Sequence, residues 1–389
     1  MTTIQEAFSI LEHTKFSPKV ITLALLEAHN KVLAETVVSP IAMPPFRQSS
    51  MDGFAMAMHE ALEYTIVGEI KAGDGHLINL QAGQAVKIFT GAAVPDSAQT
   101  VIPIEKVIVN ETQLLLDETP KPNSNIRHIG QQLSKNDIAL EKGTFLNAAA
   151  VGFLAGLGVT SVKVYQQPTI GIVITGNELL QPGEPLTHGK VYESNAIMLQ
   201  TALQTAHFSK VKVYEVDDDL ENTKTTLEKV LHDNDFLIVS GGISVGDYDF
   251  VGDALKSLNV ETLFYKVNQK PGKPLFAGKQ NDKIIFALPG NPAASLMCFY
   301  IYVLPTLQRL SGIKTTYESK IKMALAHDYV IDNTRCQFLK AVVTGDFVAI
   351  LSHQDSSMLN TLALANALVC VPDGNYTLTK GEKVAVFRI

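Results

Sequence analysis

Between residues 169 and 310 the chain alternates two patterns, and this alternation limits the folds open to it. Short, continuously apolar runs are separated by longer stretches of helical period. An apolar run without polar alternation is a strand buried on both faces. Helices must then cover both faces, so the strands are predicted to pair in parallel through helical crossovers. The predicted strands are Thr169–Thr175, Lys210–Val216, Phe236–Val239, Thr262–Val267 and Ile284–Leu288. The predicted helices are Ala196–Ala206, capped by Asn195, then Leu220–Leu231, Phe250–Leu258 and Pro292–Leu310. Asn291 is the expected N-cap of the last helix, with Pro292 in its first turn.

The flanking segments read differently. Residues 1 to about 40 carry Leu23, Leu25, Leu26, Val32 and Leu33 at near-helical spacing and are expected to be helical. Met43-Pro44-Pro45 breaks that pattern. From about 41 to 135, short alternating runs such as Tyr64–Val67, Ala85–Phe89 and Val107–Leu115 sit between Gly and Pro and predict a β-rich module. Residues 136–165 hold a small-residue helix and a strand. Beyond Gly312, short strands and turns predict a small C-terminal β-domain.

Charge and cysteine usage narrow the function. Thirty-two basic and 39 acidic residues leave a net charge of −7, and a non-specific nucleic-acid binder needs a basic excess. An anion must therefore be met by a local cluster of cations. Three widely spaced cysteines, Cys298, Cys336 and Cys370, have apolar neighbours and suit reduced core thiols. The apolar stretch Phe145–Val159 is shorter than the roughly 20 residues of a spanning helix. With no signal-peptide pattern at the start, the expected location is the cytoplasm.

Three predicted strands end in glycine-bearing loops: Thr175-Gly176-Asn177-Glu178, Ser240-Gly241-Gly242-Ile243-Ser244-Val245-Gly246-Asp247-Tyr248-Asp249, and Pro289-Gly290-Asn291-Pro292. In doubly wound sheets ligands bind beyond the carboxyl ends of the strands. Glycine there lets backbone N–H groups approach an anion. A single such loop is only a turn, but three on one sheet edge predict a site. Neither a P-loop nor a dinucleotide fingerprint is present. Lys266, Lys270 and Lys273 fall within eight positions of a loop stiffened by Pro271 and Pro274, an arrangement costly in self-repulsion without an anion. Asp217-Asp218-Asp219 could hold a cation or simply cap the following helix. Ser49–Ala55 around Asp52, Phe89-Thr90-Gly91 and Asn125-Ile126-Arg127 are further polar segments of the β-rich module.

Taken in order, Ser-x-Met-Asp-Gly-Phe-Ala, Thr-Gly-Ala, Asn-Ile-Arg, Thr-Gly-x-Glu-Leu, Ser-Gly-Gly-x-Ser-x-Gly, Lys-Pro-Gly-Lys-Pro and Leu-Pro-Gly-Asn-Pro resemble the molybdopterin molybdenumtransferases, the molybdenum insertases related to the gephyrin E domain. The resemblance spans nearly the whole chain. It implies a multidomain α/β plus β fold: a molybdopterin-binding doubly wound α/β domain (1–19 and 166–312), a β-rich domain (41–135), an elongated helix/strand domain (20–40 and 136–165) and a small barrel-like β-domain (313–389). It further implies a homodimer, with molybdopterin-AMP and molybdate as substrates, Mg²⁺ as divalent cation, and hydrolytic release of AMP.

By matching motif, the resemblance implies catalytic roles for Asp52, Thr90, Glu178, Asp218, Asp249, Lys266 and Lys270, with Glu178, Asp218 and Asp249 on the metal. Substrate would be held by Arg127, Ser240, Gly241, Gly242, Ser244, Gly246, Lys273, Pro289, Gly290, Asn291 and Pro292. Four residues depart from the family pattern: Gln131, Gln132 and Asn177 replace common acids, and Arg47 stands where an acid is usual. The expected consequence is a more positive cleft with weaker metal binding. A non-catalytic molybdopterin-binding or scaffold protein is the alternative that these substitutions leave open.

Overall fold

A computed structural model describes residues 1–76, 78–243, 250–319 and 321–389. The chain divides into two compact units: residues 1–21, 30–32 and 165–389 in the first, and 22–29 and 33–164 in the second. Among the described residues, no helix is long and apolar enough to cross a membrane.

The first unit opens with α1 (Ile4–His13), started by a capping box in which Thr3 and Glu6 satisfy each other's backbone N–H. Its central sheet has six strands: β1 (Ile170–Thr175), β2 (Val211–Val216), β3 (Phe236–Ser240), β4 (Glu261–Tyr265), β5 (Phe276–Gln280) and β6 (Lys283–Leu288). Their spatial order is β2-β1-β3-β6-β5-β4. The helices between them are α2 (Asn195–Thr205), α3 (Leu220–Asp233) and α4 (Val251–Ser257), followed by α5 (Pro292–Cys298) and α6 (Leu304–Leu310).

Period-2 alternation explains the two layers. Ile170, Ile172 and Ile174 face a core shared with Phe8, Leu199, Leu203 and Phe299. Val173, Leu237 and Val239 face the opposite core with Leu227, Val230 and Leu255. Each such fully buried side chain contributes about 1.5–3 kcal/mol. At Gly171 a Cβ would lie 2.3 Å from Val230 Cγ1, so α3 rests directly on the β1 backbone.

β2, β1, β3 and β6 pair in parallel, as the apolar runs predict. β5 does not: it is antiparallel to both β6 and β4. The sequence reading passes over β5, because Phe276–Gln280 lies two residues before β6. The Asn281-Asp282 pair, with Asn281 at φ 54°, closes the two strands as a hairpin instead.

Three local readings need correction. Val20–Ala24 is a strand and Leu25–Ala28 a single 3₁₀ turn, so the first 40 residues hold no α-helix after His13. The β-branched Val20-Ile21-Thr22 run favours the extended chain. Helix α2 begins at Asn195, with Ser194 at the cap position; the Glu193 carboxylate takes the Ala196 N–H. The final helix is interrupted over Phe299–Val303, where the turn widens to a π-helix ahead of Pro305. A proline inside a helix lacks the N–H and crowds the carbonyl four residues back, and a widened turn relieves both.

After α6, β7 (Ile321–Leu325), β8 (Cys336–Thr344), β9 (Phe347–Ile350), β10 (Ala367–Val371) and β11 (Lys383–Arg388) form the ring β8-β9-β7-β11-β10, closed by pairing of β8 with β10. Closure leaves this small sheet without an open edge. Helix α7 (Leu359–Leu364) packs beside it. The Gln269–Lys270 segment adds alongside β8, in parallel with Cys336–Gln337.

The second unit holds a six-stranded sheet in the order Thr100–Pro103, Gly53–Met56, Gln84–Ile88, Glu63–Ile70, Gln113–Leu116, Val107–Asn110. Gly53 is obligatory there, since a Cβ would sit 1.9 Å from the Ile102 carbonyl oxygen. A helix, Ala148–Gly156, is also part of this unit, with Leu154 its buried residue.

Candidate functional site

Because β1, β3 and β6 are parallel neighbours, their carboxyl ends lie side by side. The described residues of the three glycine-bearing loops therefore meet at one cavity of about 590 Å³. Its walls include Thr175, Gly176, Ser240, Gly241, Gly242, Pro289, Gly290 and Asn291. The close approach demands the glycines. Gly241 has φ +96°, and a Cβ there would fall 2.8 Å from both the carbonyl and the hydroxyl oxygen of Thr175. Gly241 N–H donates to the Leu288 carbonyl at 3.3 Å, tying the second loop to the third.

Asn195 spans the same loops from α2. Its Nδ2 donates to Ser240 Oγ and to the Gly290 carbonyl, each at 2.8 Å. The sequence reading treats Asn195 as a helix cap. The structure gives it this bridging role instead, which only the pairing of β3 beside β6 creates. Its Oδ1 is buried without a partner among the described residues, as are Asn291 Oδ1 and Thr175 Oγ1. Asn291 holds the cap position of α5 but makes no capping bond with its side chain. An unpaired buried polar atom costs about 1–3 kcal/mol, so three of them on residues lining one cavity set this place apart from an ordinary turn cluster.

Cations rim this cavity. Lys270 and Lys273 come from the loop, with Pro271, Gly272 and Pro274 beside them, and Arg335 and Ser356 come from the barrel. Glu178 and Asp218 supply carboxylates. Asp218 Oδ2 accepts from Asn177 N–H at 3.2 Å, and Asn177 Oδ1 accepts from Asp218 N–H at 3.1 Å. The amide at 177 thus braces a carboxylate-bearing loop. Asp219 caps α3 through Asn222 N–H, which is the helix-capping role considered for the Asp triplet.

The remaining predicted residues lie elsewhere. Lys266 does not line the cavity; its Nζ stands 4.8 Å over the Tyr265 ring. Pro292 starts α5 and also stays out of the lining. Ser244, Gly246 and Asp249 lie outside the described residues. Asp52, Thr90 and Arg127 belong to the second unit. There, Thr90 donates both its N–H and its hydroxyl to Asp52 Oδ1 at 2.7 Å. These bonds hold the Asp52 carboxyl below the usual range, the backbone N–H most strongly. Arg127 is exposed on a short strand paired to Gln48–Ser49.

Two of the departing residues have local work. Arg47 donates to the carbonyls of Pro95, Asp96 and Ala98, so its guanidinium is engaged inside its own unit. Gln131 Oε1 accepts from His128 N–H at 3.1 Å. Among the described residues, no group of three His, Cys, Asp or Glu side chains is arranged for a metal ion.

Arg335 and Ser356 are also cavity residues that the sequence reading misses. Neither sits in a glycine loop or a motif, and Arg335 lies 62 positions beyond Lys273, in the bend just before β8.

Comparison with known proteins agrees along the whole chain. Residues 2–158 match the MoeA N-terminal region (domain I and II), 171–309 a probable molybdopterin binding domain, and 322–389 the MoeA C-terminal region (domain IV). The molybdopterin molybdenumtransferase of Staphylococcus epidermidis is 32% identical over 396 residues, covering 98% of this chain and 94% of that protein. That of Haemophilus influenzae is 35% identical over 319 residues, covering 81% and 79%. The crystal structure of the molybdopterin biosynthesis MoeA protein from Pyrococcus horikoshii OT3 superposes with TM-score 0.83 at 27% identity, covering both chains entirely. Three family regions in chain order, end-to-end relatives and a shared architecture lead to one conclusion: the chain belongs to the MoeA family of molybdopterin molybdenumtransferases.

Proposed function

We propose that this protein acts in molybdenum cofactor biosynthesis, moving molybdenum from molybdate onto adenylylated molybdopterin with hydrolytic release of AMP. The observation that carries the reading is the cavity at the sheet ends, lined by Lys270, Lys273 and Arg335 and by Thr175, Asn195 and Asn291, which carry buried polar atoms without partners among the described residues. A pterin needs fixed hydrogen-bond partners, and a phosphate or a tetrahedral dianion needs cations and hydroxyls. Both requirements meet within one space of suitable size.

In this reading, Asn195 Oδ1 and Asn291 Oδ1 accept from the ligand's ring N–H groups. The glycine loops bring backbone N–H groups near its phosphate. Lys270, Lys273 and Arg335 neutralise the charge that grows on the phosphate oxygens as the phosphoanhydride is cleaved. Ser356 adds a hydroxyl donor at the rim. Glu178 and Asp218 form an all-oxygen pair that suits Mg²⁺, which takes one or two carboxylates and completes its shell with substrate phosphates. Bound there, Mg²⁺ would supply charge neutralisation. No covalent nucleophile is required.

Asp52, Thr90 and Arg127 keep only the roles that the resemblance implies. The homodimer stands on the same footing. Its support here is the helix Ala148–Gly156, apolar throughout and buried only at Leu154, with Phe145 42% exposed nearby. A second copy would cover that surface, and light scattering should give twice the chain mass. The expected compartment is the cytoplasm.

The test is direct. Incubated with adenylylated molybdopterin, molybdate and Mg²⁺, the purified protein should release AMP, and R335A should do so far more slowly. No release alongside an active control refutes the reading and favours a pterin-binding protein without turnover.

A further inference from the structure

Three cations, Lys270, Lys273 and Arg335, rim the cavity, and like charges held close repel one another. Lys270 and Lys273 are exposed, although Pro271 and Gly272 between them are buried. Some buried feature must therefore fix their spacing before an anion arrives.

Gln269 meets that description. Its side chain is 0% exposed. Its Nε2 donates to the Gly272 carbonyl at 3.1 Å, inside the turn that joins Lys270 to Lys273, and reaches Cys298 Sγ at 3.6 Å. Its Oε1 accepts the Tyr302 hydroxyl, which is itself fully buried. Its backbone carbonyl accepts Arg335 Nη1 at 3.3 Å. Its strand pairs with β8 at Cys336 and Gln337, next to Arg335. One residue therefore touches the lysine turn through its side chain and the arginine through its main chain.

The choice of side chain is informative. A buried amide is costly unless all its groups are paired, and a methionine or leucine would fill the same space. The amide donates to the Gly272 carbonyl while accepting from Tyr302, which neither methionine nor leucine can do. Burial pushes the Tyr302 hydroxyl well above its usual pKa, so it remains a donor at all ordinary pH values. The network Tyr302–Gln269–Gly272 is fully satisfied, and such networks fix one conformation.

We propose that Gln269, held by Tyr302, is a positioning residue that sets the spacing of Lys270, Lys273 and Arg335 for one tetrahedral oxyanion. The inference rests on the cation rim being the anion site. The oxyanion is either molybdate or the phosphate of the nucleotide, and the two are separated by titrating molybdate and AMP in different experiments.

The experiment uses the full chain. Calorimetric dissociation constants for molybdate and for AMP are compared in wild type, Q269M, Y302F and R335A, with a melting temperature for each. Q269M should weaken at least one of the two anions about tenfold, and Y302F about threefold, each beyond any effect scaling with lost stability. The anion affected identifies the ligand. Lower melting temperatures with both constants within twofold of wild type would show that the network is purely structural, and would overturn the proposal. Should Q269M fail to fold, Y302F carries the same test, because it removes a single hydroxyl. R335A separates the two levels. If it weakens an anion and the other variants do not, the positioning role falls while the anion site stands. If R335A weakens neither anion, the anion site falls and the positioning role falls with it.

Discussion

Replacing Gly272 by alanine tests how tightly the lysine turn is built. Gly272 has φ +83°, a conformation that costs an L-residue about 1–2 kcal/mol. A Cβ there would stand 2.5 Å from Cys298 Sγ, 3.0 Å from Gln269 Nε2 and 3.2 Å from Met297 Cε. Cys298 is fully buried in α5 and has no open space to retreat into. Overpacking of this kind adds about 1–3 kcal/mol. The expected loss for G272A is therefore about 2–5 kcal/mol, a large share of an ordinary domain's stability. The chain contains no tryptophan, so urea unfolding is best followed by circular dichroism. C298A removes the sulfur that the new methyl strikes. The double variant G272A/C298A should recover about 1–2 kcal/mol relative to the sum of the single changes. The backbone term should remain. A G272A midpoint within about 0.5 kcal/mol of wild type, or strict additivity in the double variant, would refute this account of the turn.

Three further outcomes are expected. N195A deletes the donors to Ser240 and the Gly290 carbonyl, so it should lower stability by about 1–3 kcal/mol and weaken pterin binding in a fluorescence titration. Unchanged affinity would remove Asn195 from the site. Lys340 is 3% exposed, and its Nζ donates to the carbonyls of His353, Asp355 and Met358. K340M should cost about 2–4 kcal/mol by orphaning those groups. It should also expose residues 353–358 to limited proteolysis, and a resistant loop would contradict the assignment. In T90V the Asp52 carboxyl keeps the backbone N–H but loses the hydroxyl. Its pKa should rise toward the usual aspartate value, read by carboxyl ¹³C NMR. The sign follows from linkage: bonds that lower a carboxyl's pKa favour the ionised form, and their effect disappears as pH falls through the lowered value.

Sequence alone determined the kind of domain and the chemistry of its loops. The apolar runs around Ile172, Ile238 and Phe286 could be buried only in a sheet covered on both faces, and glycine after each strand marked where backbone would approach a ligand. Lys270 and Lys273 could be read as an anion loop because prolines hold them a few positions apart. Such signals are local: a period or a turn shows within about ten residues. Tertiary structure alone decided that β1, β3 and β6 stand side by side, that β5 runs antiparallel, and that Arg335 and Ser356 from the barrel reach the cavity of the α/β domain. It also turned Asn195 from an expected cap into a bridge, and Gln269 from an unmarked loop residue into the link between the lysine turn and Arg335. These partnerships join residues 45 to 95 positions apart. A short window carries no information about such pairs; they arise because burial and strand pairing are satisfied across the whole fold at once.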